Sequence, residues 1–325
     1  MSSAVLVTGG AGYVGSACAQ ALAAAGRTPV VLDDLSTGHR EFVRWGPLIV
    51  GDIADADLVT QTLREHGIGA VMHFAAKSLI GESVKEPALY DSWNRGKTTA
   101  LVEAARGAGV GAFVFSSTAA VYGTPEHTPI PESAACAPIN PYGSSKVACE
   151  DALAASGLPY AALRYFNAAG GLPSEGVGEW REHETHIIPL AIRAARTSKP
   201  LTILGTDYPT PDGTCVRDYI HVADLASAHL LALEHLEGGG ASGAWNLGTE
   251  HGSSVREVVE AVGAAFGAPV PTVEGARRPG DPATLVADAA RARADFGWRP
   301  TRSSMAQIAA DAVACDRLFH GRGPA

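Results

Sequence analysis

The stretch VTGGAGYVGS, residues 7–16, decides the fold. An apolar run, Ala4 to Thr8, leads into it, and an amphipathic run, Val14 to Ala25, leads out of it. Between them Gly9, Gly12 and Gly15 recur every third residue. A strand-to-helix turn without Cβ atoms lets backbone approach a pyrophosphate, and the N-terminus of the following helix favours its negative charge. A glycine triplet alone is a weak signal and needs an acid about twenty residues on, at the end of the next strand, to hold a ribose hydroxyl. Here PVVLD supplies it in Asp33. Asp33 and Asp34 together would repel a 2′-phosphate, so the expected dinucleotide is NAD and not NADP.

Outward from this turn, short apolar runs alternate with amphipathic ones. LIVGDI (48–53), GAVMHFAA (69–76), GAFVFSST (111–118) and YAALRYFN (160–167) read as strands. Helical stretches fall at Leu58 to His66, at Trp93 to Ala108, and around Tyr142 and Lys146. Strands alternating with helices predict an α/β fold with a doubly wound, parallel, Rossmann-type sheet, and runs of Val, Ile, Leu and Phe fit strands buried on both faces. Residues 1–166 are assigned to this dinucleotide domain. After Asn167 the texture turns polar and loop-rich, with a helix expected at Ile187 to Thr197, and residues 167–325 are assigned mainly to a smaller substrate lobe. Within it, a segment near 219–247 is expected to return to the Rossmann core.

Composition narrows the function classes. With 46% hydrophobic residues in 325, the chain can bury a substantial core. A net charge of −9 argues against a nucleic-acid partner, which requires a basic face, though not against a phosphorylated ligand held locally. The five cysteines are odd in number and include no C-x-x-C, which suits reduced thiols. No basic leader and no apolar run of membrane-spanning length are visible, so a cytoplasmic, non-membrane location is expected. HETH (183–186) lacks the H-E-x-x-H zinc spacing, and no metal is expected.

PYGSSK (141–146) places Tyr142 four residues before Lys146, on one face of a helix. A free tyrosine titrates near pH 10, too high for a base at neutral pH. A nearby lysine ammonium and a cationic nicotinamide favour the phenolate and are expected to lower that value. FVFSSTAAVYG (113–123) ends a buried strand at Ser116, Ser117 and Thr118. Thr118 is the candidate partner of the reacting oxygen, and the two serines read as strand-end residues.

Dinucleotide turn, hydroxyl at a strand end and Tyr-x-x-x-Lys together resemble the extended short-chain dehydrogenase/reductase superfamily. The blocks LVTGGAGYVGS, HFAA, GESV, FSSTAAVYG, NPYGSSK, LRYFNAAG, DYPTPDGTCVRDYIHVADLA, NLGT and RRPGD resemble, within it, the UDP-glucose 4-epimerase family over nearly the whole chain. The resemblance implies an NAD-dependent isomerase that interconverts UDP-galactose and UDP-glucose through a 4-keto sugar. It implies cofactor contacts at Gly9, Gly12, Tyr13, Val14, Gly15, Asp33, Asp52, Ile53, Phe74, Ala75, Ala76, Lys77, Tyr142 and Lys146. Catalysis would rest on Tyr142, Lys146 and Thr118. Substrate contacts would fall on Thr118, Tyr142, Asn167, His186, Arg217, Arg278, Asp281 and Leu285, the two arginines clamping a diphosphate. A homodimer joined through two helices of each subunit, including the Tyr142 helix, is implied as well.

The chain departs from the family pattern in places. Ser78 stands where some members carry a cofactor-binding lysine, which leaves the role of the preceding Lys77 open. YDSWNRG lacks the paired asparagines, so Asn94 carries over weakly. His186 stands where many relatives have asparagine. Leu285 falls where the family has either a tyrosine or a smaller residue that admits an N-acetyl group, which leaves UDP-GlcNAc open as a substrate. Epimerases of UDP-glucuronate or UDP-pentoses stay open as alternatives. A 4,6-dehydratase would need acids after Thr118, where Ala119 and Ala120 stand. A non-catalytic NAD-binding protein would not need the intact Thr118, Tyr142 and Lys146.

Overall fold

The computed structural model describes residues 4–278 and 280–320. Strands β1 (Ala4–Thr8), β2 (Thr28–Asp33), β3 (Leu48–Val50), β4 (Ala70–His73), β5 (Ala112–Thr118) and β6 (Tyr160–Tyr165) join the strand Gly243–Leu247 in one sheet. The order is Gly243–Leu247, β6, β5, β4, β1, β2, β3, and every pairing is parallel. The chain therefore winds outward from β1 in both directions, and the C-terminal end of β1 is the switch point where such sheets bind ligands.

Helices α1 (Tyr13–Ala24) and α8 (Val222–Glu237) cover one face, and α2 (Ala56–Glu65), α5 (Lys97–Gly107) and α6 (Pro141–Ser156) the other. The remaining helices are α3 (Ile80–Lys85), α4 (Pro87–Tyr90), α7 (Ile187–Thr197), α9 (Val255–Phe266), α10 (Ala290–Phe296) and α11 (Met305–His320). Side chains alternate along each strand, so Val5 and Val7 bury against α1 and α8, and Leu6 against the opposite layer of α2, α5 and α6. The strand Gly243–Leu247 follows α8 and pairs with β6, which brings this late segment into the sheet beside residues laid down far earlier. A third apolar cluster, including Ile188, Ile192, Tyr219, Val258, Val262, Ile308 and Val313, holds α7, α9 and α11 together.

Two elements differ from their sequence reading. The third strand ends at Val50 rather than running to Ile53: after a last ladder bond from Gly51 N–H to the Asp33 carbonyl (3.1 Å), the Asp52 carboxylate accepts from Ala54 N–H (2.9 Å) and turns the chain. The helix expected from Trp93 begins as a π-helical turn, Asp91–Gly96, before α5. That wider turn swings Asn94 inward, where it is 1% exposed.

The smaller lobe is built on short ladders. Asn167–Ala169 pairs with Tyr219–His221, and Val216–Arg217 pairs with Thr284–Leu285 and with Ser253–Ser254. Asp218, between them, is fully buried. Its carboxylate accepts from Thr249 N–H (2.8 Å), Thr249 Oγ1 (2.7 Å), Glu250 N–H (3.2 Å) and Ala287 N–H (3.2 Å). Removing it leaves several donors unsatisfied, each worth about 1–3 kcal/mol. Asp218→Ala is expected to cost at least about 3 kcal/mol, read as a fall in the urea midpoint. All five cysteines are free thiols. Among the described residues no helix is long and apolar enough to cross a membrane.

Candidate active site

At the switch point the glycine turn forms a cradle that only glycine fits. Gly9 has φ +70°, and a Cβ there would lie 2.5 Å from Ala75 N in the loop after β4. A Cβ on Gly15 would lie 2.3 Å from the Gly9 carbonyl oxygen. Gly12 is the N-cap of α1, which has no side-chain cap and no acid in its first turn, so its positive end is left for an anion. Asp33 ends β2 in a buried position, accepting from Ala11 N–H (3.0 Å) and Leu35 N–H (2.9 Å). Burial pushes its pKa up, and the two backbone donors oppose the shift. Tyr13 and Val14 open α1, Ala75 abuts Gly9, Ala76 follows it, and Ile53 is buried. Phe74 packs against the buried His229 ring (centroids 4.9 Å). This ring's Nε2 has no hydrogen-bond partner among the described residues, and burial lowers its pKa to about 4. A backbone cradle, a helix N-terminus without a side-chain cap and a buried acid on the next strand fit a dinucleotide.

Two expected cofactor residues have protein partners. Asp52 is bonded by Lys97 Nζ (2.7 Å), and burial, which would raise its pKa, is outweighed by that lysine. Lys97 in turn lies over the Trp93 ring (3.3 Å). Lys77 Nζ is 3.5 Å from Glu82 and 5.2 Å from the Trp93 ring. Asn94 accepts from Lys77 N–H (2.9 Å) and donates to the Lys77 carbonyl (3.0 Å) and Ser145 Oγ (3.0 Å), so it fastens the β4 loop to α6.

The chemistry-bearing trio meets at the end of β5. Asn140 caps α6 through Gly143 N–H (2.8 Å), with Pro141 at its first position, and this sets the helix so that Tyr142 and Lys146 face β5. Tyr142 lies near enough to Thr118 for that side chain to favour its phenolate, and it meets the Tyr90 ring edge-on at 6.4 Å. Lys146 is buried; its Nζ donates to the Ser116 carbonyl (2.8 Å) and lies 4.7 Å from the Phe115 ring. Burial lowers the Lys146 pKa to about 8, with Cys149 and Glu150 acting the other way.

The protein's own groups raise the phenol of Tyr142: burial dominates, and Thr118 and the nearby Arg181 offset it only in part.

At the other end of the cleft, ladder register collects the residues expected to meet substrate. Arg217 and Leu285 are direct partners, and Arg217 pairs with Asp281 (3.3 Å). Arg278 lies on the turn that Asp281 N–H closes (3.2 Å), with its side chain exposed. Asn167 Nδ2 donates to the Asp218 carbonyl (2.8 Å), one residue beyond Arg217. His186, at the N-terminus of α7, is tied by Nδ1 to Glu179 and lies 3.7 Å from Glu184. Burial works against a charge on this ring, but Glu179 outweighs it and the pKa is raised. His186, Glu179 and Glu184 present ligand atoms within 4.8 Å of one another, and Arg181 lies 3.4 Å from Glu179 in the same group.

Several residues of the site escaped the sequence reading. Tyr165 bonds Ser116 Oγ and so shares the strand end with Lys146. Glu150, one turn beyond Lys146, accepts from Ser117 Oγ (2.5 Å) and pairs with Arg164 (2.5 Å). Arg164 continues to Tyr122 (3.0 Å), and Tyr122 to Asn246 (2.7 Å). The one sequence signal among them was Arg164, a charge inside the apolar run YAALRYF; Glu150 sits among other polar residues of its helix.

Comparison with known proteins agrees with this geometry. The profile of the NAD dependent epimerase/dehydratase family matches residues 5–248. A curated relative, UDP-glucose 4-epimerase of Rhizobium meliloti, is 50% identical over 301 residues, covering 91% of this chain and 92% of its own. The crystal structure of UDP-glucose 4-epimerase from Brucella ovis in complex with NAD superposes with a TM-score of 0.93 at 47% identity, covering 95% of this chain and 97% of that one. UDP-glucose 4-epimerase from Stenotrophomonas maltophila, solved with NAD and formylated UDP-arabinopyranose, gives a TM-score of 0.95 at 38% identity over 98% and 99%.

Proposed function

The chain belongs to the NAD dependent epimerase/dehydratase family, and on that premise we propose that it interconverts UDP-galactose and UDP-glucose by oxidising and re-reducing C4 of the sugar. It is an NAD-dependent isomerase. The observation that carries the reading is the meeting of Thr118, Tyr142 and Lys146 at the end of β5, beside the glycine cradle and with no acid following Thr118.

Gly9, Gly12, Gly15, Tyr13, Val14 and Asp33 would hold the dinucleotide, with Asp52, Ile53 and the Phe74–Lys77 loop around it. When bound, NAD supplies the oxidant for the C4 alcohol and a positive charge that favours the Tyr142 phenolate. Tyr142 Oη takes the C4 hydroxyl proton and later returns it. Thr118 orients that oxygen, and Lys146 keeps a positive charge behind the strand end. The sugar must present both faces to one oxidising surface, so binding has to rest on the nucleotide and diphosphate rather than on the hexose. Asn167, Arg217, Arg278, Asp281 and His186 supply that anchor, and His186, whose pKa Glu179 raises, donates to a phosphate oxygen. Leu285 borders the sugar, and its intermediate size admits an N-acetyl group. A cytoplasmic homodimer completes the reading.

The test is a product analysis after incubation with UDP-galactose, UDP-GlcNAc, UDP-glucuronate and UDP-xylose separately. UDP-glucose formed from UDP-galactose is the expected main reaction, with slower turnover of UDP-GlcNAc. No UDP-glucose would overturn the assignment, and no product from UDP-GlcNAc at high concentration would remove the Leu285 argument alone. The buried Lys146 also sets a pH limit. Its pKa is depressed to about 8, so its charge is present below that pH and lost above it. The kcat is expected to fall above about pH 8, and a profile flat to pH 9.5 would contradict a charge requirement.

A further inference from the structure

We propose that Trp180 and Arg181 form a strap across the dinucleotide site that slows release of the cofactor; this rests on the cofactor reading above and extends it to residues of the smaller lobe. The sheet order puts the loops after β4, β1 and β2 side by side, with the glycine turn of β1 in the middle. Trp180 reaches one flank. Its ring stacks on His39 (centroids 4.3 Å, planes 8° apart), and its carbonyl oxygen lies 2.9 Å from His39 Nε2. His39 belongs to the loop after β2, and its backbone N–H donates to the Ala11 carbonyl in the glycine turn (2.8 Å). Arg181, the next residue, reaches the opposite flank, with a guanidinium nitrogen 3.4 Å from Ser78 Oγ in the loop after β4. Consecutive residues that touch the loops on both sides of β1 must carry the chain across the turn between them.

The strap is braced from behind. Trp180 stacks on Phe319 of α11 (5.1 Å, 14°) and packs near Phe42 (6.3 Å). Beneath it, Tyr13 Oη donates to the Gly170 carbonyl (2.9 Å), which fastens the first residue of α1 to the same lobe. Arg181 also lies 3.4 Å from Glu179, the residue that holds His186. One segment therefore carries a phosphate-suited cation over the cofactor side and His186 on the substrate side. A ligand lying along the glycine turn cannot leave past this side without parting the Trp180–His39 stack or displacing Arg181.

The experiment follows release of labelled NAD from the full-length protein into excess unlabelled NAD. Trp180→Ala and His39→Ala are expected to speed release at least tenfold, and Arg181→Gln several-fold with a weakened salt dependence. Trp180→Phe, which keeps a stacking ring, is expected to stay near wild type. Trp180→Ala also removes packing against Phe42 and Phe319, so Arg181→Gln, which touches neither, guards against a folding artefact. Release rates within twofold of wild type for Arg181→Gln and His39→Ala, at unchanged thermal midpoints, would overturn the strap and leave the cofactor reading standing. Wild-type protein that binds no NAD would overturn the cofactor reading and the strap together.

Discussion

Tyr142→Phe is expected to lower kcat about 10³-fold, with little change in KM for the UDP-sugar and no loss of bound NAD. The ring fills buried space beside Tyr90, and phenylalanine preserves that packing. Only the Oη, which lies near Thr118, is removed. The C4 proton then loses its acceptor, because the neutral Thr118 hydroxyl is too weak a base to take it and Ala119 and Ala120 cannot carry one. Steady-state kinetics with NAD content measured in parallel checks this. A rate within tenfold of wild type would move the acid–base role elsewhere. The chain's own groups raise the phenol through burial, and the positive charge of bound NAD is expected to favour the phenolate.

Gly9→Ala carries the second large effect, on cofactor binding. The residue has φ +70°, a conformation that L side chains adopt at a cost, and the added Cβ would stand 2.5 Å from a backbone nitrogen and 2.8 Å from Ala75 Cα. Backbone on both sides leaves no flexible side chain to yield, so the turn and the β4 loop must part. The expected result is at least about 2 kcal/mol lost from stability and a Kd for NAD raised at least about 100-fold. Titration of the purified variant with NAD, alongside its thermal midpoint, tests both. Binding within threefold of wild type would show that the turn does not cradle the ligand.

Both predictions concern residues legible in the amino-acid sequence alone, and for the same reason. Gly9, Asp33, Tyr142 and Lys146 are defined by local rules: a turn that excludes Cβ, an acid at a strand end, and two side chains one helical turn apart. The parallel sheet is legible too, since strands buried on both faces write themselves as continuous apolar runs. Boundaries are less so. Asp52 ends its strand early because its side chain, by accepting from Ala54 N–H, competes with regular backbone hydrogen bonding, and a π-helical turn that spacing does not announce carries Asn94 inward.

What only the tertiary structure decided lies at long range in the chain. Arg217 meets Leu285 through a two-residue ladder whose register no periodicity announces. Arg164 reaches Glu150 inside the core, where an unpaired charge would be costly, so each explains the other only once both are buried. The direction of the Tyr142 shift in the protein alone followed from burial, which spacing does not contain. Trp180 and Arg181 sit in a polar stretch without pattern, and their place across the glycine turn comes from packing against His39, Phe319 and Ser78. The sequence by itself thus determined the cradle and the tyrosine–lysine pair, because backbone sterics and helical spacing act over a few residues. The substrate end, the protonation state and the closure over the cofactor were decided by burial, which depends on what the rest of the chain brings alongside.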